Sequence, residues 1–181
     1  MWSFIGQSRR FQKELDDRWQ RLYRLAYSWC HDPHLSSDLV QETLLKALKN
    51  KHQLKDSKAM DAWLFMILNN CWKDYWRSKK EMVEIESLTF HSESDTELEL
   101  EQENAVNRIR HGIAQLPINQ RQIITLIDLE EMSYKEVATI LEIPIGTVMS
   151  RLCRARNALK IILKDIESFV EPGKPNLRRI K

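Results

Sequence analysis

Four polar side chains on one face of a basic segment, Ser150, Cys153, Arg154 and Asn157, have the types and spacing to do chemistry, and that chemistry is the reading of DNA bases. The segment runs MSYKEVATILEIPIGTVMSRLCRARNAL from Met132 to Leu159. At 100° per residue Val148, Leu152, Ala155 and Leu159 gather on one face as core, which turns those four side chains directly away. Arg154 can present two parallel donors to a guanine edge, while Arg151 and Arg156 sit on the flanks where phosphates would run. A solvated basic helix end would also place cations near a helix C-terminus. Arginines, capping residues and a tight turn in one segment agree better with DNA. Cys153 is either a small apolar contact for a thymine methyl or a thiol made more acidic by Arg154 and Arg156.

The flanking residues predict the elements that hold this face. Ser133, with Glu136 three residues on, makes a capping box that opens a short helix with Val137, Ala138 and Leu141 inward. Glu142 and Ile143 form the turn, and Pro144 suits the first turn of the next helix. Two short helices joined so tightly, the second bearing arginines, make a helix-turn-helix, whose second helix lies in the major groove. Upstream, Val106, Ile109, Ile113 and Leu116 recur as a buried stripe until Pro117 stops the helix. Asn119 opens another, with Gln122 placed for a second capping box.

The first part of the chain carries a different constellation. Phe11, Leu15, Trp19, Leu22, Ala26 and Trp29 recur at spacings of three and four, one amphipathic helix that the Asp32-Pro33 turn interrupts. Ser36 or Ser37 can cap the next helix, whose buried stripe is Val40, Leu44, Ala47 and Leu48. A third helix, from about Ala59 to Lys79, places Leu64, Ile67, Leu68, Cys71 and Tyr75 on one side. Its outer face bears Asn69, Lys73, Trp76, Arg77 and Lys80, a basic stripe with an outward aromatic that suits unpaired DNA. Trp63, Trp72 and Tyr75 read as packing residues.

Composition agrees with an all-α protein, since 4 Gly and 5 Pro in 181 residues are too few turn formers for a strand-rich chain. The net charge of +2 is uninformative, but its distribution is not. Glu81 to Glu103 holds acids throughout and no Lys or Arg, which reads as a flexible linker. Cys30, Cys71 and Cys153 lie far apart without a CxxC, so no disulfide framework or zinc ribbon is expected and a cytoplasmic location is. Cys30, His31 and His34 span a helix end with no fourth ligand, so no metal or other cofactor is expected. No stretch is long enough to span a bilayer, and no membrane insertion is expected.

Three segments in order, SSDLVQETLLKAL, WLFMILNNCWKDYWRSKK and, after Leu116-Pro117, SYKEVATILEIPIGTVMSRLCRARNAL, resemble the extracytoplasmic-function sigma factors of bacterial RNA polymerase over about Leu22 to Leu163. The resemblance implies that Asp38, Gln41 and Glu42 dock on core polymerase, where exposed acids at a helix start suit a basic partner. It implies that the Lys51 to Asp61 loop holds a flipped base of the minus-ten element. The minus-ten set is then Asn69, Asn70, Lys73, Trp76, Arg77 and Lys80. The minus-thirty-five set is Thr147, Met149, Ser150, Arg151, Cys153, Arg154, Arg156 and Asn157. The acidic linker would thread polymerase channels as a phosphate mimic, or serve only as a solvated spacer. The family often has glycine where Glu142 and His31 stand and a basic residue where Asn69 stands, so the turn at 142 is expected to be less strained.

The expected architecture is a core-docking and minus-ten domain over 10–81, an acidic linker over 82–103, a helix-turn-helix domain over 104–166 and a disordered basic tail over 167–181. The expected function is promoter-specific transcription initiation with core RNA polymerase and promoter DNA as partners, an anti-sigma protein as regulator, and no catalysis. The competing reading is a stand-alone helix-turn-helix regulator that binds duplex operators as a dimer. A small metal or redox enzyme on the Cys and His positions ranks far below both.

Overall fold

The computed structural model describes the backbone of residues 10–85 and 105–170, and side chains within 10–79 and 107–164. The expected flexible linker, apart from its first residues, and the expected disordered tail beyond Val170 lie outside the described residues. Every regular element among the described residues is helical.

The single first helix expected from periodicity is two: α1, residues 10–16, and α2, Trp19–Cys30. Arg18 causes the break, because its guanidinium donates to the Glu14 carbonyl at 2.8 Å and to Asp61 at 2.6 Å, ending α1 from outside the helix. The offset leaves Trp19 36 % exposed instead of buried, while Leu15, Leu22, Ala26 and Trp29 are core as expected. His31 closes α2 in the left-handed region, φ 54°.

Helix α3, Pro33–Lys49, is capped by Asp32, which accepts from the backbone N–H of His34 and Leu35 at 2.8 and 3.0 Å. Ser36 and Ser37 therefore lie inside the helix and do not cap it. Pro33 explains the choice, since its fixed φ suits the first helical position. Two short 3₁₀ turns, Lys51–Gln53 and Ser57–Ala59, lead into α4, Met60–Ile85. This helix runs past Lys79, the end expected for it. Trp63, Leu64, Phe65, Leu68, Cys71 and Trp72 bury against α2 and α3.

The second lobe begins with α5, Ala105–Ala114, where Gly112 admits Leu159: a Cβ at 112 would stand 2.8 Å from Leu159 Cδ1. Ile113 and Leu116 are buried as expected, Ile109 is 40 % exposed instead, and the Val106 side chain lies outside the described residues. Helix α6, Ile118–Ile124, widens into a π turn over Thr125–Leu129 and leads to α7, Tyr134–Leu141, and α8, Ile145–Val170. The capping box expected at Asn119 and Gln122 does not form; Pro117 stands at the N-cap and Gln122 is buried. The two lobes also pack on each other, α2 against α5 and α6 and α4 against α7, so their cores join as one apolar cluster.

Candidate nucleic-acid interface

Local chemistry shapes the helix-turn-helix. The Ser133 backbone N–H and hydroxyl both donate to Glu136, at 2.9 and 2.7 Å, and Ser133 Oγ accepts from the Glu136 N–H at 3.3 Å. The Ser133 hydroxyl bond foremost holds the Glu136 carboxyl below its ordinary range. The turn at Glu142 is left-handed, φ 56°, against the expectation of a relaxed turn. The Ile143 N–H closes it on the Ala138 carbonyl at 3.0 Å, and the Pro144 carbonyl accepts from Thr147 and Val148.

Val148, Leu152 and Ala155 of α8 are buried and Leu159 is half-buried. Ser150, Cys153, Arg154 and Asn157 are exposed on the opposite side, with Met149 54 % exposed. Arg154 donates to the Ser150 carbonyl of its own helix, at 3.3 Å. Arg156 is engaged, as a fork on Asp128 at 2.6 and 3.1 Å. Thr147 and Arg151 are half-buried, and Arg151 lines a cleft of about 380 Å³ with Asn69, Trp72, Lys73 and Trp76 of α4.

In the first lobe Asp38, Gln41 and Glu42 are exposed together along α3. Lys46 bridges Glu42 at 2.9 Å to Asp74 at 3.2 Å, and the bond it donates to Glu42 chiefly raises its pKa. On α4, Trp76 is 48 % exposed, Arg77 is exposed at 3.5 Å from Asp74, and Asn70 is half-buried. The Lys80 side chain lies outside the described residues. Lys79, absent from the expected set, sits 5.3 Å from the Trp76 ring centroid and 5.8 Å from that of Tyr75. Four-residue spacing to Tyr75 was the available signal.

Asn69 departs from the expected outer face: it is 1 % exposed. Its amide donates to the Ile140 carbonyl at 2.8 Å and accepts from Gln122 at 3.4 Å, so the second lobe covers it. Beside it Lys73 pairs with Glu142 at 2.8 Å, the bond that foremost lowers the Glu142 carboxyl. The Trp29 indole donates to Thr125 Oγ1 at 3.0 Å, and Arg21 pairs with Glu130. Arg121 donates to the Trp29 carbonyl at 2.7 Å and to the Ala114 and Leu116 carbonyls at 2.5 and 2.9 Å.

His31 faces Arg121 and His111, and burial foremost, then the electrostatic influence of Arg121 and of the His111 ring, push its imidazole down to about 4. Cys30 Sγ lies 3.1 Å from Ser36 Oγ, within the fold's own hydrogen bonding. No group of three or more His, Cys, Asp or Glu that could hold a metal occurs among the described residues. Among them, too, no helix is long and apolar enough to cross a membrane.

These features define an all-helical, DNA-binding protein of the helix-turn-helix class. The sigma-70 region 2 family matches residues 17–81 and the sigma-70 region 4 family residues 107–159. The chain is 30% identical over 173 residues to the ECF RNA polymerase sigma factor SigW of Bacillus subtilis, covering 89% of this chain and 92% of that one. It is 34% identical over 151 residues to SigM of the same organism, covering 78% of this chain and 87% of that one. Among solved structures it is similar to the sigma factor RpoE bound to the anti-sigma factor NepR from Bartonella quintana, with TM-score 0.68 and 31% identity, covering 85% of this chain and 96% of that one. The chain belongs to the extracytoplasmic-function sigma factors of RNA polymerase. It acts with that enzyme in promoter-directed transcription initiation.

Proposed function

We propose a division of labour among the faces just described. Asp38, Gln41 and Glu42 dock on core polymerase; Asn70, Lys73, Trp76 and Arg77, with Lys80, capture the separated minus-ten strand. The exposed α8 face reads the minus-thirty-five element, with Arg154 and Asn157 on base edges and Arg151 on phosphate. The observation that carries this is the placement of Ser150, Cys153, Arg154 and Asn157 opposite the buried Val148, Leu152 and Ala155. Lobes of about 10–81 and 104–166 serve as the functional units.

The protein catalyses nothing; binding energy for separated strands drives melting. Its site of action is the cytoplasm, and an anti-sigma protein is its regulator, as NepR partners the similar Bartonella protein. Reconstitution with core polymerase and a promoter library tests the proposal. Transcripts from a defined promoter class are expected, and initiation nowhere above background overturns it.

A further inference from the structure

We infer that Arg18 is a positioning residue for promoter recognition: by clamping Asp61 it holds the exit of the Lys51 to Asp61 loop in the shape that receives a minus-ten base. The inference rests on the reading of that loop as the holder of such a base.

The loop has few anchors of its own. Residues 51–53 and 55–59 are exposed and Leu54 is half-buried. Among the described residues, the side-chain hydrogen bonds of 51–59 stay local, Gln53 to Asn50 at 3.4 Å and Asp56 to the Lys58 N–H at 2.9 Å. The entry is fixed by Asn50, whose amide donates to the Lys46 carbonyl at 2.9 Å. At the exit Met60 is fully buried, and Asp61 follows it in the first turn of α4. Two arginines share the Asp61 carboxylate, Arg18 on Oδ1 at 2.6 Å and Arg21 on Oδ2. The start of α4 favours the same negative charge.

Arg18 is the better aimed of the two. In a continuous helix the Glu14 carbonyl would accept from the Arg18 backbone N–H. Here that N–H turns to the Leu15 carbonyl at 3.0 Å, and the Glu14 carbonyl takes the guanidinium instead, at 2.8 Å. The break between α1 and α2 therefore braces the side chain that reaches Asp61, and buried Leu15 pins the brace to the core. Arg21 divides itself between Asp61 and Glu130 and lies 5.3 Å from the Phe65 ring centroid.

A loop selects a base only as far as it keeps one shape, because affinity falls with the fraction of molecules in the competent conformation. Without the clamp the first turn of α4 opens locally and the loop spreads over other shapes. A promoter with the preferred base then loses affinity, whereas one with a wrong base, which never enters the loop, loses none. Arg18 thus sets selectivity, and a side chain that only supported the fold would lower both affinities together.

The test uses holoenzymes of core polymerase with the full chain, wild type or carrying Arg18→Met, Arg18→Lys, Asp61→Ala, or Arg18→Met with Asp61→Ala. Titrations against promoters with each minus-ten and minus-thirty-five base replaced in turn give a selectivity ratio at every position, and circular dichroism verifies the helical content. If loss of the clamp leaves about one-fifth of loops competent, Arg18→Met lowers the ratio at one minus-ten position about fivefold, all of it on the preferred base. The minus-thirty-five ratios stay unchanged, Arg18→Lys restores part of the loss, and the double variant loses no more than Asp61→Ala alone. An unchanged ratio, an equal loss on every base, or additive losses in the double variant overturns the clamp. Should Arg18→Met lose helix, Asp61→Ala is held to the same ratios. A chain with His52, Gln53, Lys55 and Lys58 all changed to alanine separates the failures. Unchanged minus-ten selectivity there removes the loop's assignment and the clamp with it, whereas altered selectivity there with none in Arg18→Met removes only the clamp.

Discussion

Replacing Asn69 by leucine discriminates between a buried interlobe residue and a surface residue waiting for DNA. Leucine shares the branching and the number of side-chain heavy atoms of asparagine but neither donates nor accepts. The change strands the Ile140 carbonyl, bonded at 2.8 Å, and the Gln122 amide, bonded more weakly at 3.4 Å. A buried polar group left without its partner costs about 1 to 3 kcal/mol. The Ile140 bond is the larger loss, and Gln122 can turn part of its amide toward the cleft. Leucine returns about 1 kcal/mol through added apolar burial. The net destabilisation is about 2 kcal/mol, which lowers the melting temperature of a chain of this size by about 4 to 8 °C. Urea unfolding followed by circular dichroism, with the slope checked for two-state behaviour, measures it. A change within about 0.5 kcal/mol, as surface substitutions give, would refute the burial of Asn69.

Arg154→Ala is expected to lose about 1 to 3 kcal/mol at the best minus-thirty-five duplex and to relax specificity at one position. Arg151→Ala is expected to weaken all sequences alike and to flatten the salt dependence; titrations of both variants at several salt concentrations compare them. Charge reversal at Asp38 and Glu42 should weaken binding to core polymerase in a pull-down while leaving duplex binding intact, and equal loss of both would mean misfolding. His31 predicts an acid-sensitive fold. Its folded pKa of about 4 lies below the ordinary 6.5, so the unfolded chain binds the proton first. The stabilisation from a neutral His31 is complete above pH 6.5 and disappears as pH falls towards 4. The shift at full value is worth about 3 kcal/mol, and about half that with solvent screening on the open side of the ring. His31→Asn should flatten the fall in urea stability between pH 6.5 and pH 4.5.

The parts of the fold legible in the sequence are those written in short-range chemistry. The Ser133 capping box, the turn before Pro144 and the α8 wheel each depend on residues within one or two helical turns, and each forms. Apart from the α3 cap, where neighbouring Asp32 and Pro33 displace Ser36 and Ser37, the misplaced residues have distant partners. A wheel assigns Asn69 to the face opposite Leu68 and Cys71 on the assumption that only one side of α4 is covered, whereas α7 covers another. Gln122 shows the same effect, since its partner lies on α4. Trp19 turns outward because Arg18 bonds to Asp61, far along the chain, and divides the helix. The chemistry of Glu142 was likewise illegible: its left-handed turn is local, but the Lys73 that makes a carboxylate useful there belongs to the other lobe.

Arg121 gives the boundary between the lobes two electrostatic temperaments. Its guanidinium meets three carbonyls, two of them from the end of α5 and its exit and one from the last turn of α2. It thus sits on the negative ends of two helix dipoles, with no carboxylate among the partners just named. Simple salt competes well for exposed ion pairs and poorly for carbonyls packed against a half-buried cation. Rising ionic strength should therefore loosen the Lys73–Glu142 rim while the Arg121 pivot holds. At the boundary between the lobes, the contact of α7 with α4 at Lys73 would then weaken before the contact around Trp29.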